Sequence, residues 1–77
     1  MSRQFSGSAL RRARQTAGLS AERLAYRIER SAYSIHQYER GVSLPSVPAL
    51  AALSAVLDVS IDSLFTTSDE KVGAGVA

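Results

Sequence analysis

Apolar positions recur every three to four residues along most of the chain, the spacing of one helical face. Leu10, Ala13 and Ala17, with Arg14 among them, form a first stripe. Gly18 is its natural stop, because glycine enters the left-handed backbone region without penalty. A second stripe, Leu24, Ala25 and Ile28, follows the capping residue Ser20, and a third, Ile35 and Tyr38, follows Ser31 and stops at Gly41. "VSLPS" reads as a loop, and Ser46 caps a fourth helix with Pro48 in its first turn, where no intrahelical amide bond is lost. Leu50, Leu53 and Leu57, helped by Val47 and Val56, line that helix, and Ser60 opens a short fifth one carrying Ile61, Leu64 and Phe65. The expected fold is all-α, a compact five-helix bundle without strand alternation, internal repeat or heptad array. Residues 1–7 are expected to be a flexible N-terminal arm, 8–65 the folded domain, and 66–77, "TTSDEKVGAGVA", a disordered C-terminal tail.

Composition narrows the function classes. A chain of 77 residues supports one small domain. With no cysteine, disulfides and thiolate metal sites are excluded. No apolar run approaches the roughly 18 residues of a membrane span, and "MSRQFSGSAL" has no apolar segment of the secretory kind. A cytoplasmic protein without membrane partners is expected. Charge is divided along the chain. All eight arginines lie in the first 40 residues against Glu22, Glu29 and Glu39, a balance of +5. The remainder sets Lys71 against Asp58, Asp62, Asp69 and Glu70, a balance of −3. One basic end suits a polyanionic partner. There is one histidine, no glycine-rich phosphate loop and no HExxH motif, so no catalytic site, metal, cofactor or small-molecule ligand is expected.

The segments "LRRARQTAGLSAERLAYRIERSAYSIHQYERG" and "LPSVPALAALSAVLDVSIDSLF" carry a resemblance to a known family. With "GLS" at 18–20, "LA" at 24–25, Ile35, "ERG" at 39–41, "LPS" at 44–46 and "VSIDSLF" at 59–65, residues 10–65 resemble the lambda-repressor-like (Cro/C1-type) helix-turn-helix family. The resemblance implies a bacterial or phage transcriptional regulator, commonly a repressor, that binds double-stranded DNA, often as a homodimer. It places the helix at about 31–40 in the major groove and the start of the preceding helix against phosphate. A protein partner such as a toxin is known for some members.

On a helical wheel with Ile35 at zero, Tyr38 and Glu39 fall at about 300° and 40°, while His36, Arg40, Tyr33 and Gln37 spread over roughly 100–200°. Ala32 sits at the edge of that outer face. Gln37 pairs well with adenine, His36 can donate to guanine, Ala32 can touch a thymine methyl, and Tyr33 offers a ring and a hydroxyl. Arg40 reaches guanine or phosphate. Ser20, Ala21, Arg30, Ser31 and Ser43 are the further phosphate or base candidates that the resemblance implies. Arg14, charged inside an apolar stripe, is expected to pair with Glu39 and orient the reading helix rather than reach back to water.

Two departures stand out. Glu29 occupies a position where the family usually has glycine, and Arg30 one that is usually apolar. Either Glu29 takes the left-handed conformation or the preceding helix runs on. Ala21 replaces a common glutamine brace, and the loop "GVSLPS" has no basic residue, so a monomer should bind DNA weakly. These departures and exposed Tyr26 leave a second reading open, a protein-interaction module on the same fold.

Overall fold

The computed structural model describes residues 3–67, and for side chains residues 3–66. The elements are β1 (Arg3–Phe5), α1 (Gly7–Thr16), α2 (Ala21–Arg27), α3 (Ala32–Arg40), α4 (Val47–Leu57), a 3₁₀ turn (Ile61–Leu64) and β2 (Phe65–Thr67). Five serines start the helical segments. Ser6, Ser20, Ser31, Ser46 and Ser60 each accept a hydrogen bond from the amide three residues on, at 3.0–3.2 Å. Each such cap stabilises its helix by about 1 kcal/mol.

The helix ends share one device. After α1, α2, α3 and α4 the chain turns through a left-handed residue, whose own amide and the one after it bond back to carbonyls of the last turn. Gly18 (φ 75°) and Gly41 (φ 76°) serve two of these ends, and Glu29 (φ 59°) and Asp58 (φ 56°) the other two. Of the two conformations open for the Glu29 turn, the left-handed one is therefore adopted. The Glu29 amide donates to Tyr26 O at 3.2 Å and the Arg30 amide to Ala25 O at 2.9 Å.

The expected bundle of five helices is corrected to four α-helices, a single 3₁₀ turn and a short strand pair. Four residues are too few to build a fifth α-helix before Phe65 becomes extended (φ −121°, ψ 152°). β1 and β2 run antiparallel with Arg3 opposite Thr67, Gln4 opposite Thr66 and Phe5 opposite Phe65. The segment expected to be a loose arm thus contains a strand. It is held by an edge-to-face contact between Phe5 and Phe65, centroids 6.0 Å apart, and by Arg3, which lies over the Phe65 ring. Arg3 also donates to Asp62 O at 2.8 Å and faces the Asp62 carboxylate at 3.6 Å. Strands of three residues are too short to show alternation. Of the expected tail, Thr66 and Thr67 belong to β2, and 68–77 lie outside the described residues.

The core gathers Leu10, Leu24, Ile35, Leu53 and Leu64, all inaccessible to solvent, with Ala21, Ala25, Ile28, Tyr38 and Leu57 around them. Burial of each leucine contributes roughly 1.5–3 kcal/mol. Ala17, expected in the first stripe, is exposed beyond the end of α1, and Val47, at the first position of α4, projects into solvent. Ala49 takes the inner place instead. Gly7 opens α1 where it meets the end of α3, and a Cβ there would lie 2.5 Å from the Tyr38 carbonyl oxygen and nearer still to that of Glu39. That close approach sets the distance between α1 and α3.

Candidate nucleic-acid interface

Two of the nine residues of α3 anchor it. Ile35 and Tyr38 are buried, and Tyr33, His36 and Arg40 are exposed. Glu39 fixes its rotation. Arg14 Nε donates to Glu39 Oε2 at 2.6 Å and Arg14 Nη2 to Oε1 at 3.2 Å, a two-pronged pair across the α1–α3 contact. A third arginine donor, Nη1, reaches Leu19 O at 2.9 Å in the α1–α2 turn. Only 14% of the Arg14 side chain and 6% of Glu39 remain exposed. The hydrogen bond to Glu39 raises the Arg14 pKa; burial opposes this, and the charges of Glu39 and, more weakly, Glu22 add to it. The charge in an apolar stripe is therefore matched by a carboxylate and a carbonyl, not by water.

On the opposite side Tyr33 (70% exposed), His36 and Arg40 are open to solvent and Gln37 is half-buried. These four share one face of α3, and Ala32 lies half-buried at its start. The Gln37 carbonyl receives the amides of Val42 and Ser43 at 3.0 and 3.3 Å, which ties the following loop to the helix and leaves the side-chain amide free. Ser31 Oγ is engaged by the Ser34 amide and hydroxyl, each at 3.1 Å, and Ser20 Oγ by the Arg23 amide. Arg30 and Ser43 are exposed. The Ala21 side chain lies in the core, because the first turn of α2 packs inward, and its backbone remains for an outside partner.

One depression on this side had no counterpart in the sequence reading. Arg11, Arg14, His36, Glu39 and Arg40 line it along the seam between α1 and α3. Arg11 was legible only through its spacing of three from Arg14 on the same helix. Among the described residues no three histidine, cysteine, aspartate or glutamate side chains gather as a metal site. No described helix is long and apolar enough to cross a membrane.

The sequence profile of a family described as "Helix-turn-helix domain" matches residues 7–64. The P22 c2 repressor, solved in complex with a synthetic operator, superposes with a TM-score of 0.75 at 31% identity, over 79% of this chain and 92% of that one. The chain belongs to the lambda-repressor-like (Cro/C1-type) helix-turn-helix family. It is thereby placed among DNA-binding transcription regulators. The restriction-modification controller protein C.AhdI from Aeromonas hydrophila matches at a TM-score of 0.72 and 32% identity, over 77% of this chain and 89% of that one. SinR, the Bacillus subtilis biofilm regulator, matches in complex with DNA at a TM-score of 0.70 and 32% identity, over 75% and 94% of the two chains. SinR is also similar where it is bound to the SinI protein, over 75% of this chain and 57% of that one. Comparison with curated protein sequences gives no match.

Proposed function

We propose that this helix-turn-helix protein is a sequence-specific transcriptional repressor that reads the major groove of double-stranded DNA with α3. The observation that carries the reading is the division of α3. Its inner residues are fixed by the core and by the Arg14–Glu39 pair, while Tyr33, His36, Gln37 and Arg40 face outward together. A reading helix needs this combination of a rigid seat and a free polar face. Gln37 and His36 supply base-specific donors and acceptors, Tyr33 and Ala32 apolar contact, and Arg30 and Arg40 positive charge. Cytoplasmic residence with the nucleoid follows from that role. The solved operator complex of P22 c2 and the DNA complex of SinR support the same reading.

We infer that it acts as a homodimer on a two-half-site operator. Residues 41–57 carry no charge, and Leu44 (74% exposed) and Val47 (77% exposed) project from the start of that stretch. A helix apolar on all sides, as α4 is, normally has cover on all sides. Leu64 is fully buried and takes no part in this patch. Sedimentation equilibrium of wild type and of Leu44→Ser/Val47→Ser measures this: a monomeric wild type sinks the dimer, and a variant that stays dimeric sinks this patch as its interface.

A mobility-shift titration against the protein's own promoter region and against random duplex tests the main proposal. Tighter binding to one promoter segment is expected. Gln37→Ala should relax preference at one base position by roughly 1–3 kcal/mol. Equal losses on cognate and random DNA would remove Gln37 from the reading set. The second reading, a protein-interaction module, draws on Tyr26, which is 83% exposed on α2, and on the SinR–SinI complex. Amide shifts on adding duplex that spare α3 would favour it.

A further inference from the structure

The seam between α1 and α3 holds more positive charge than its structural role uses. Five side chains line it: Arg11, Arg14, His36, Glu39 and Arg40. Glu39 is consumed by Arg14, whose guanidinium places three donors on Glu39 and Leu19. The carboxylate therefore neutralises Arg14 and nothing else. Arg11 and Arg40 remain, exposed, on opposite walls, and neither has an ion-pair or hydrogen-bond partner among the described residues. Three arginines against one glutamate give the seam a formal charge of +2, His36 left out of the count.

We propose that Arg11 and Arg40 together clasp one backbone phosphate of the DNA, making Arg11 of α1 a DNA contact and assigning Arg40 to phosphate rather than to a base. The inference rests on the major-groove reading above. Three features favour a phosphodiester. The seam opens beside His36, so it borders the outer face of α3, and with α3 in the major groove a flanking strand would run along its rim. Arginine forks match the tetrahedral oxygens of phosphate. The Arg14–Glu39 pair between them is rigid, so neither wall needs reorganising when the anion arrives. The clasp also supplies charge that the lysine- and arginine-free loop 41–46 lacks.

The test is fluorescence anisotropy of wild type, Arg11→Ala, Arg11→Lys, Arg40→Ala and Arg11→Ala/Arg40→Ala on cognate and random duplex across a salt series. For Arg11→Ala the slope of log K against log salt should fall in magnitude by about 0.9, the value of one phosphate contact. The wild-type to variant affinity ratio should then shrink about threefold between 50 and 200 mM salt. The loss should be equal on both duplexes, Arg11→Lys should recover most of it, and the double variant should lose less than the two single losses combined. Arg11 is exposed, so thermal melts of the variants should match wild type. An unchanged slope in Arg11→Ala, with wild type binding normally, overturns the clasp and leaves the α3 reading standing. Wild type that binds duplex without sequence preference refutes the α3 reading, while the slope still judges the clasp. Wild type that binds no duplex overturns both. Saturation of the seam by inorganic phosphate at micromolar concentration, or weakening of an acidic protein partner alone, would place the ligand elsewhere than DNA.

Discussion

Glu39→Ala isolates the interaction that seats the reading helix. The substitution removes both acceptors of the Arg14 fork, at 2.6 and 3.2 Å, and leaves only the bond to Leu19 O. A fully buried pair costs about 3–5 kcal/mol when one partner is deleted, and an exposed one about 0–1 kcal/mol. Here the carboxylate is almost completely covered and the guanidinium keeps 14% exposure, so it can swing partly to water. The expected loss is about 2–3 kcal/mol. In a domain of this size that lowers Tm by roughly 8–24 °C. Thermal unfolding followed by circular dichroism reads the change. Arg14→Met and the double variant complete a cycle whose coupling energy should be about 1–2 kcal/mol. The sign with pH follows from the raised Arg14 pKa. A group whose folded pKa lies above its unfolded value gives its stabilisation below the latter and loses it as pH rises through the former. For an arginine that window lies in strong alkali, so the Glu39→Ala deficit should be the same at pH 7 and pH 9. A Tm within about 2 °C of wild type, or a coupling energy below about 0.3 kcal/mol, would refute the seating role.

Three further outcomes are expected. Glu29→Gly should relieve the left-handed backbone at φ 59°. A net gain of about 0.5–1 kcal/mol is expected after glycine's own entropic cost, and a fall in Tm would show that the Glu29 side chain stabilises the turn. Gly7→Ala should destabilise by about 1–3 kcal/mol, because its Cβ would meet the end of the α3 backbone; an unchanged melt would mean that α1 can move away freely. Arg3→Ala should loosen the strand pair by about 1 kcal/mol without weakening DNA binding; lost affinity would show that the N-terminal segment contacts DNA.

Much of the fold was legible because its signals are local. Ser20, Ser31, Ser46 and Ser60 cap where a serine before an apolar stripe should. Gly18 and Gly41 end helices because only their neighbours' hydrogen bonds need be considered. The same turns at Glu29 and Asp58 were not legible at both places. At Glu29 two conformations stayed open, and at Asp58 the left-handed turn was not foreseen, although aspartate enters that region more readily than most residues other than glycine. The strand pair joins segments about 60 residues apart, and three-residue strands have no period to detect.

The sequence by itself determined the starts of the helical segments after Ser20, Ser31, Ser46 and Ser60, most of their inward apolar positions and the outward set Tyr33, His36, Gln37 and Arg40, all of which depend on spacing within one helix, and it showed the basic N-terminal half. Tertiary structure alone decided three matters. It fixed how close α1 and α3 come, through Gly7 against the Tyr38 and Glu39 carbonyls. It gave Arg14, already expected to pair with Glu39, a further partner in Leu19 O, so that three donors of its guanidinium are engaged within the protein. It brought Arg11 and Arg40, 29 positions apart, to one seam. Periodicity gives the direction in which a side chain leaves its own helix, but not what stands across the gap. That depends on the packing of one helix against another.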